Sequence, residues 1–245
     1  MEKNGIPSGR GRKLSLSDSI RKRQSEGRFP VISEIKMRSD KEGDLLRGRD
    51  PVELGREMAR RPVAGISVVT EPVHFGGHMG LLRAVAAAVD LPVLHKDFIT
   101  TEGQIRESAG SGASAVLLIA AMLPAEQMVR LIDVARRHGL ETLVEAHNLA
   151  EVKKIEHLKF DLMGINNRDI TIFEVDDSDV GKTEELARFC KGPRPLISES
   201  SISTAEEIRR AGKSGADAVL IGTAVLKAVR MAELLDELTS VEWPV

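Results

Sequence analysis

Tyrosine is absent from this 245-residue chain, and aromatic residues make up only 3% of it. A core built from such a sequence must be aliphatic, and few rings are on hand for single-stranded bases to stack on. The lone cysteine, Cys190, excludes an intramolecular disulfide and fits a reducing, cytoplasmic home. No apolar run approaches the ~18 residues of a membrane helix, and the N-terminus lacks the apolar core of a secretory signal. A net charge of -2 gives no polyanion-binding signature. These absences point away from disulfide scaffolds, membrane spans and nucleic-acid binders. What is present is ordinary globular composition, 42% hydrophobic and 29% charged, enough to bury a sizeable core.

Residues 1–15 are polar, basic and glycine-containing, and read as a flexible tail ahead of a domain over 16–245. Ser17 is placed to cap a short extra helix over residues 18–24. Short apolar runs then recur: VISEIK (31–36), AGISVVT (64–70), LPVLHK (91–96), SAVLLIA (114–120), TLVEA (142–146), DLMGIN (161–166), PLISE (195–199) and DAVLIG (217–222). Each is rich in Val, Ile and Leu and bounded by Gly, Pro or polar residues, the pattern of a strand buried on both faces. The segments between them carry apolar residues at helical spacing, and several end at glycine. Strand–helix alternation predicts a parallel sheet. Eight such strands with polar residues near their ends favour a single closed (β/α)₈ barrel over an open, doubly wound sheet, and the length suits it. The strings SGASAVLLIA and SGADAVLIGT add a weak internal repeat consistent with repeated βα units.

Six polar residues interrupt the apolar runs: Glu34 and Lys36 in the first strand, Lys96 in the third, Glu145 in the fifth, Asn166 in the sixth and Glu199 in the seventh. Glu34 and Lys36 are two residues apart and so share a strand face. Buried charges are costly unless paired or functional. Lysines and carboxylates in one barrel mouth shift one another's pKa values and suit general acid–base chemistry. The segments after strands seven and eight, with Ser200, Ser201, Gly222 and Thr223, are where such barrels commonly hold a phosphate, and Ser39 offers a further hydroxyl. HFGGH (74–78) is a poor metal motif, because its glycines disfavour a helical ligand pair. Phe75 there, and Phe98, suit a substrate-facing wall. Arg168 and Asp169 read as a structural staple beside Asn166 and Asn167.

The strings EIK (34–36), SVVTE with HFGG (67–77), PVLHKDF (92–98), VLLIAA (116–121), LVEAH (143–147), GINNRD (164–169), SES (198–200) and GADAVLIGTA (215–224) occur in an order that resembles the indole-3-glycerol phosphate synthase family over roughly residues 16–230. The resemblance implies a ring-closing lyase of tryptophan biosynthesis. Such an enzyme converts an anilino-deoxyribulose phosphate to an indole with loss of CO₂ and water, using neither metal nor cofactor. By that resemblance Lys96 is the general acid at the ketone, and Glu145 the acid or base of dehydration. Lys36 binds the departing carboxylate. Glu34, Asn166 and Glu199 orient these groups and the sugar. Phe75, Phe98 and Leu118 pack on the anthranilate ring, and Ser39, Ser200, Ser201, Gly222 and Thr223 hold the phosphate. The sequence departs from the family's usual Ser-Pro-Ser at Ser39-Asp40-Lys41 and from its usual Gly at Ser201. The expected partner is a small phosphorylated substrate, bound by a monomer or weak homo-oligomer.

Rival readings have different signatures. A phosphoribosylanthranilate isomerase calls for a cysteine at the end of strand one, where this chain has Lys36. A drifted, phosphate-binding barrel, or a paralogous lyase acting on another phosphorylated sugar, would fit the altered phosphate-loop residues. Retention of Lys36, Lys96 and Glu145 argues against the drifted barrel.

Overall fold

The computed structural model describes residues 14–168, 179–192 and 194–245. Its strands are β1 (Val31–Ile35), β2 (Gly65–Val69), β3 (Val93–Lys96), β4 (Ala115–Ile119), β5 (Glu141–Ala146), β6 (Leu162–Asn166), β7 (Leu196–Glu199) and β8 (Ala218–Ile221). Each pairs in parallel with its sequence neighbours, and β1 pairs with both β2 and β8, so the sheet closes into a barrel. The eight sequence runs and the eight strands coincide, and the open-sheet alternative falls. A hairpin pairing Arg38–Ser39 with Gly43–Asp44 follows β1 and lies outside the barrel.

Strand parity divides the core in two. Ile32, Leu94, Ala115, Leu117, Leu143, Leu162, Ile197 and Leu220 fill the barrel interior. Their neighbours along the strands, such as Val31, Val93, Val116, Val144 and Val219, face the surrounding helices. The aliphatic composition suits both layers, because branched side chains interdigitate inside a barrel.

The helix α1 (Leu16–Ser25) closes the N-terminal end of the barrel by placing Leu16 and Ile20 in the interior cluster. Glu141, the first residue of β5, holds that helix from below. Its carboxylate accepts the amides of Leu16 at 2.5 Å and Ser17 at 3.2 Å, and the hydroxyls of Ser15 and Ser17. The helix is therefore longer than the sequence suggests and is capped by Ser15, whose oxygen accepts the Asp18 amide, rather than by Ser17. Ser17 is spent on Glu141 instead. Apart from Leu14 and Ser15, the expected tail lies outside the described residues. No helix among the described residues is long and apolar enough to cross a membrane.

Candidate active site

With one end plugged by α1, the other end of the barrel is where the inward-facing positions stop being apolar. Glu34 is the next inward residue after Ile32, Lys96 after Leu94, Glu145 after Leu143, and Glu199 after Ile197. Register aligns them: Ile119 lies beside Glu145, Glu145 beside Gly164, and Asn166 beside Glu199. All six polar residues singled out in the strand runs meet in this mouth. Lys96, Glu34, Glu145 and Asn166 line a cavity of about 330 Å³ together with Lys36, and Glu199 lies within ion-pair reach of Lys96.

The charges are organised around Lys96. Its Nζ is 3.8 Å from Glu34, 3.9 Å from Glu145 and 3.7 Å from Glu199. Lys36 pairs with the other oxygen of Glu34 at 3.5 Å. Burial opposes charge on Lys96, but the three carboxylates outweigh it and raise its pKa. Burial lowers the pKa of Lys36, with Glu34 only partly compensating. The two lysines thus differ in how readily they release a proton. Burial also works against ionising Glu145, yet Lys96 and His147 hold its pKa down at about 2. For Glu199 burial and the charge of Glu145 act in the same direction, and its pKa stands well above the ordinary carboxyl range.

Two glycines make this crowding possible. A Cβ at Gly164 would collide with Oε1 of Glu199, and one at Gly222 would lie 2.7 Å from Oε1 of Glu34. The apolar part of the cavity is formed by Val69, Phe75, Phe98, Leu117, Ile119 and Met122. Phe75 is presented by a stiff loop. The Glu71 carboxylate accepts the amides of Val73, His74 and Phe75 at 2.9, 2.7 and 3.1 Å. Leu118 is a correction: it faces the helix layer, and its neighbours Leu117 and Ile119 line the cavity. A one-residue shift along a strand reverses the face.

A second cavity of about 310 Å³ shares Glu34, Lys36, Arg168 and Ser200 with the first. Its remaining lining includes Ser201, Gly222, Thr223 and Lys227. Ser200 and Ser201 both adopt left-handed backbone conformations, with φ of 67° and 56°. Ser39 does not join this lining. It sits in the hairpin, where its hydroxyl accepts the Glu42 amide at 3.1 Å. Asp40 likewise turns away, pairing with His74 at 2.8 Å. The acid of this segment that borders the second cavity, beside Glu34, is Glu42, paired with Lys227 at 2.6 Å. Arg168, read from sequence as a staple, lines both cavities; Asp169 lies outside the described residues. His78, the second histidine of HFGGH, caps the helix α2 (Met79–Ala88) by accepting the Leu81 amide.

Comparison with known proteins decides the family. The model of the indole-3-glycerol phosphate synthase family matches residues 8–238. The chain belongs to the indole-3-glycerol phosphate synthase family. It is 44% identical to the indole-3-glycerol phosphate synthase of Pyrococcus furiosus over 229 residues, covering 94% of this chain and 98% of that one. Against the enzyme of the same name from Streptococcus pneumoniae the identity is 38% over 213 residues, covering 87% of this chain and 82% of that one. Among solved structures, the α subunit of tryptophan synthase from Legionella pneumophila superposes with a TM-score of 0.68 at 13% identity, covering 92% of this chain and 97% of that one. That likeness speaks for the barrel alone.

Proposed function

We propose that the chain closes the indole ring of indole-3-glycerol phosphate from 1-(2-carboxyphenylamino)-1-deoxyribulose 5-phosphate, with loss of CO₂ and water. The observation that carries this is the joint lining of two adjoining cavities. One is an apolar slot ending in lysines and carboxylates, and the other is a hydroxyl- and amide-rich basin at the ends of β7 and β8. An anthranilate ring fits between Phe75, Phe98, Leu117 and Ile119, and the ribulose spans the charged floor. The phosphate lies against Ser200, Ser201, Gly222 and Thr223, with Lys36, Arg168 and Lys227 supplying positive charge. Aromatic walls fix the ring plane, so the carbon that must attack the ketone is held near it, which converts much of the barrier into prior binding.

In this reading Lys96 protonates the ketone oxygen as the new C–C bond forms. Lys36 pairs with the substrate carboxylate until it departs as CO₂. The electrons of the broken C–C bond return to the ring. Glu145, ionised and buried, removes the proton needed for dehydration, and Lys36, freed by the loss of CO₂, gives the proton with which the hydroxyl leaves as water. Glu34 keeps both lysines charged and placed, and Asn166 and Glu199 orient the sugar hydroxyls. All these groups sit on strand ends rather than mobile loops, so little reorganisation is required as charge develops. The test is direct: purified protein incubated with the carboxyl-labelled substrate should release labelled CO₂ and gain indole fluorescence in equal amounts. Tight binding of substrate without either product would favour the drifted-barrel reading.

A further inference from the structure

We propose that His147, clamped by Glu151, is a positioning residue that selects which of the two facing carboxylates in the mouth, Glu145 or Glu199, holds the proton. This rests on the catalytic reading of Glu145 given above. His147 follows β5 directly and lies two residues beyond Glu145, on the same face. Its Nε2 is 3.2 Å from Oε1 of Glu145. On the other side its Nδ1 is 3.1 Å from Oε2 of Glu151, which also accepts the His147 amide at 2.8 Å. Glu151 belongs to the first turn of α3 (Leu149–Ile155) and is itself held by Asn148, which donates to its Oε1 at 2.6 Å and caps its amide. The imidazole is thus gripped between two carboxylates, and its side chain is only 3% exposed.

Charge balance gives the arrangement its consequence. Glu34, Glu145 and Glu199 share one central ammonium, Lys96, and Lys36 attends only Glu34. Oε2 of Glu145 and both oxygens of Glu199 are buried with no hydrogen-bond donor among the described residues, and Nε2 of His147, likewise without a hydrogen-bond partner there, meets Glu145 as an ion-pair contact. Three such oxygens facing one another are unstable unless one carboxyl is protonated, since like charges this close cannot both persist at low dielectric. Two chemically identical acids need something to break the tie. His147 touches Glu145 and not Glu199, and so supplies it. Burial opposes charge on the imidazole, but Glu145 and Glu151 outweigh it and raise its pKa to about 9. The other groups facing Glu145 are Lys96 from β3, Glu199 from β7 and the amide of Asn166 from β6. Lys96 is shared equally among the carboxylates, and Asn166 carries no charge. The proton therefore resides on Glu199, leaving Glu145 free to act as a base.

The test combines an NMR titration with kinetics. In the ¹⁵N-histidine-labelled full chain, the ring nitrogens of His147 should report an imidazolium that persists to about pH 9. In His147→Gln, the acidic limb of the kcat profile should move to higher pH by about 1–3 units, the effect of one opposite charge at this range, while the plateau rate at high pH is retained. Glu151→Gln, which leaves the imidazole in place, should produce a smaller shift in the same direction. A neutral His147 at pH 7, or a folded His147→Gln enzyme with an unmoved acidic limb, overturns the proposal. A pH-independent loss of rate, the signature of a merely structural role, also overturns it. If His147→Gln fails to fold, the wild-type titration and Glu151→Gln decide. If the wild-type chain forms no indole, the functional reading fails, while the titration still reports whether the clamp holds a charge.

Discussion

The carboxyl group of Glu199 lies so close over Gly164 that a single methyl group at position 164 would occupy the place of its Oε1. A glycine inside a barrel strand gives up side-chain packing and so marks a close approach. Here the approach brings an acid from β7 across β6 to Lys96. Gly164→Ala should fold, because the clash is with the end of a side chain rather than with backbone. It should nevertheless lose at least about 10-fold in kcat, since displacement of a positioned group by about 1 Å can cost 10²-fold. Kinetics with a thermal melt beside them check this, and wild-type kcat in the variant would show that Glu199 has room elsewhere.

Ser201 holds a φ of 56°, beside Ser200 at 67°, in a region where a side chain costs about 1–2 kcal/mol relative to glycine. Ser201→Gly relieves that cost but adds freedom to the unfolded chain, worth about 0.4–1 kcal/mol in the opposite sense. The expected outcome is an unchanged or slightly raised Tm, with inorganic phosphate and substrate bound as tightly as before or more so. Isothermal titration provides the reading. A large loss of affinity would instead make the serine hydroxyl a phosphate ligand in its own right.

The site was legible in the sequence to the extent that strand parity carries it. A lysine or carboxylate at the end of an apolar β run has one physical reason to be there, and Glu34, Lys96, Glu145 and Glu199 were found on that ground. Parity also explains the difference at Leu118, which the family resemblance puts against the anthranilate ring: within VLLIAA nothing polar marks which face is inward, and Leu117 and Ile119 take it. Ser39 lies away from the phosphate cavity, which a hairpin with no periodicity to read does not reveal, and Glu42, three residues on, borders that cavity instead. Two further signals lie in the sequence. The lone glycine in DLMGIN announces the close approach of Glu199, and the two-residue step from Glu145 to His147 puts both on one face.

Stability should report the His147 clamp as well. A group whose pKa is higher in the folded than in the unfolded chain stabilises the fold fully below its unfolded value, about 6.5 for histidine. That contribution fades as the pH rises through the folded value, about 9 for His147. The wild-type Tm should therefore exceed that of His147→Gln by most below pH 6.5, and the gap should narrow by pH 9.5. Differential scanning calorimetry of both proteins across this window provides the check. A gap that widened with pH would carry the wrong sign for a buried imidazolium.

In the proposed reaction turnover depends on the ammonium of Lys96, within reach of three carboxyl groups, as its proton donor. Lys96→Met retains the apolar stem and removes the charge and the proton. Paired measurements of kcat and of equilibrium substrate binding test the claim most directly, with the melting curve recorded alongside. Indole formation should fall by about 10²–10⁴, the usual worth of a positioned general acid. Binding should survive, because the aromatic walls, Lys36 and the Ser200 and Gly222 segments are untouched. A folded Lys96→Met enzyme turning over at close to the wild-type rate would contradict the claim and transfer the acid role to Lys36.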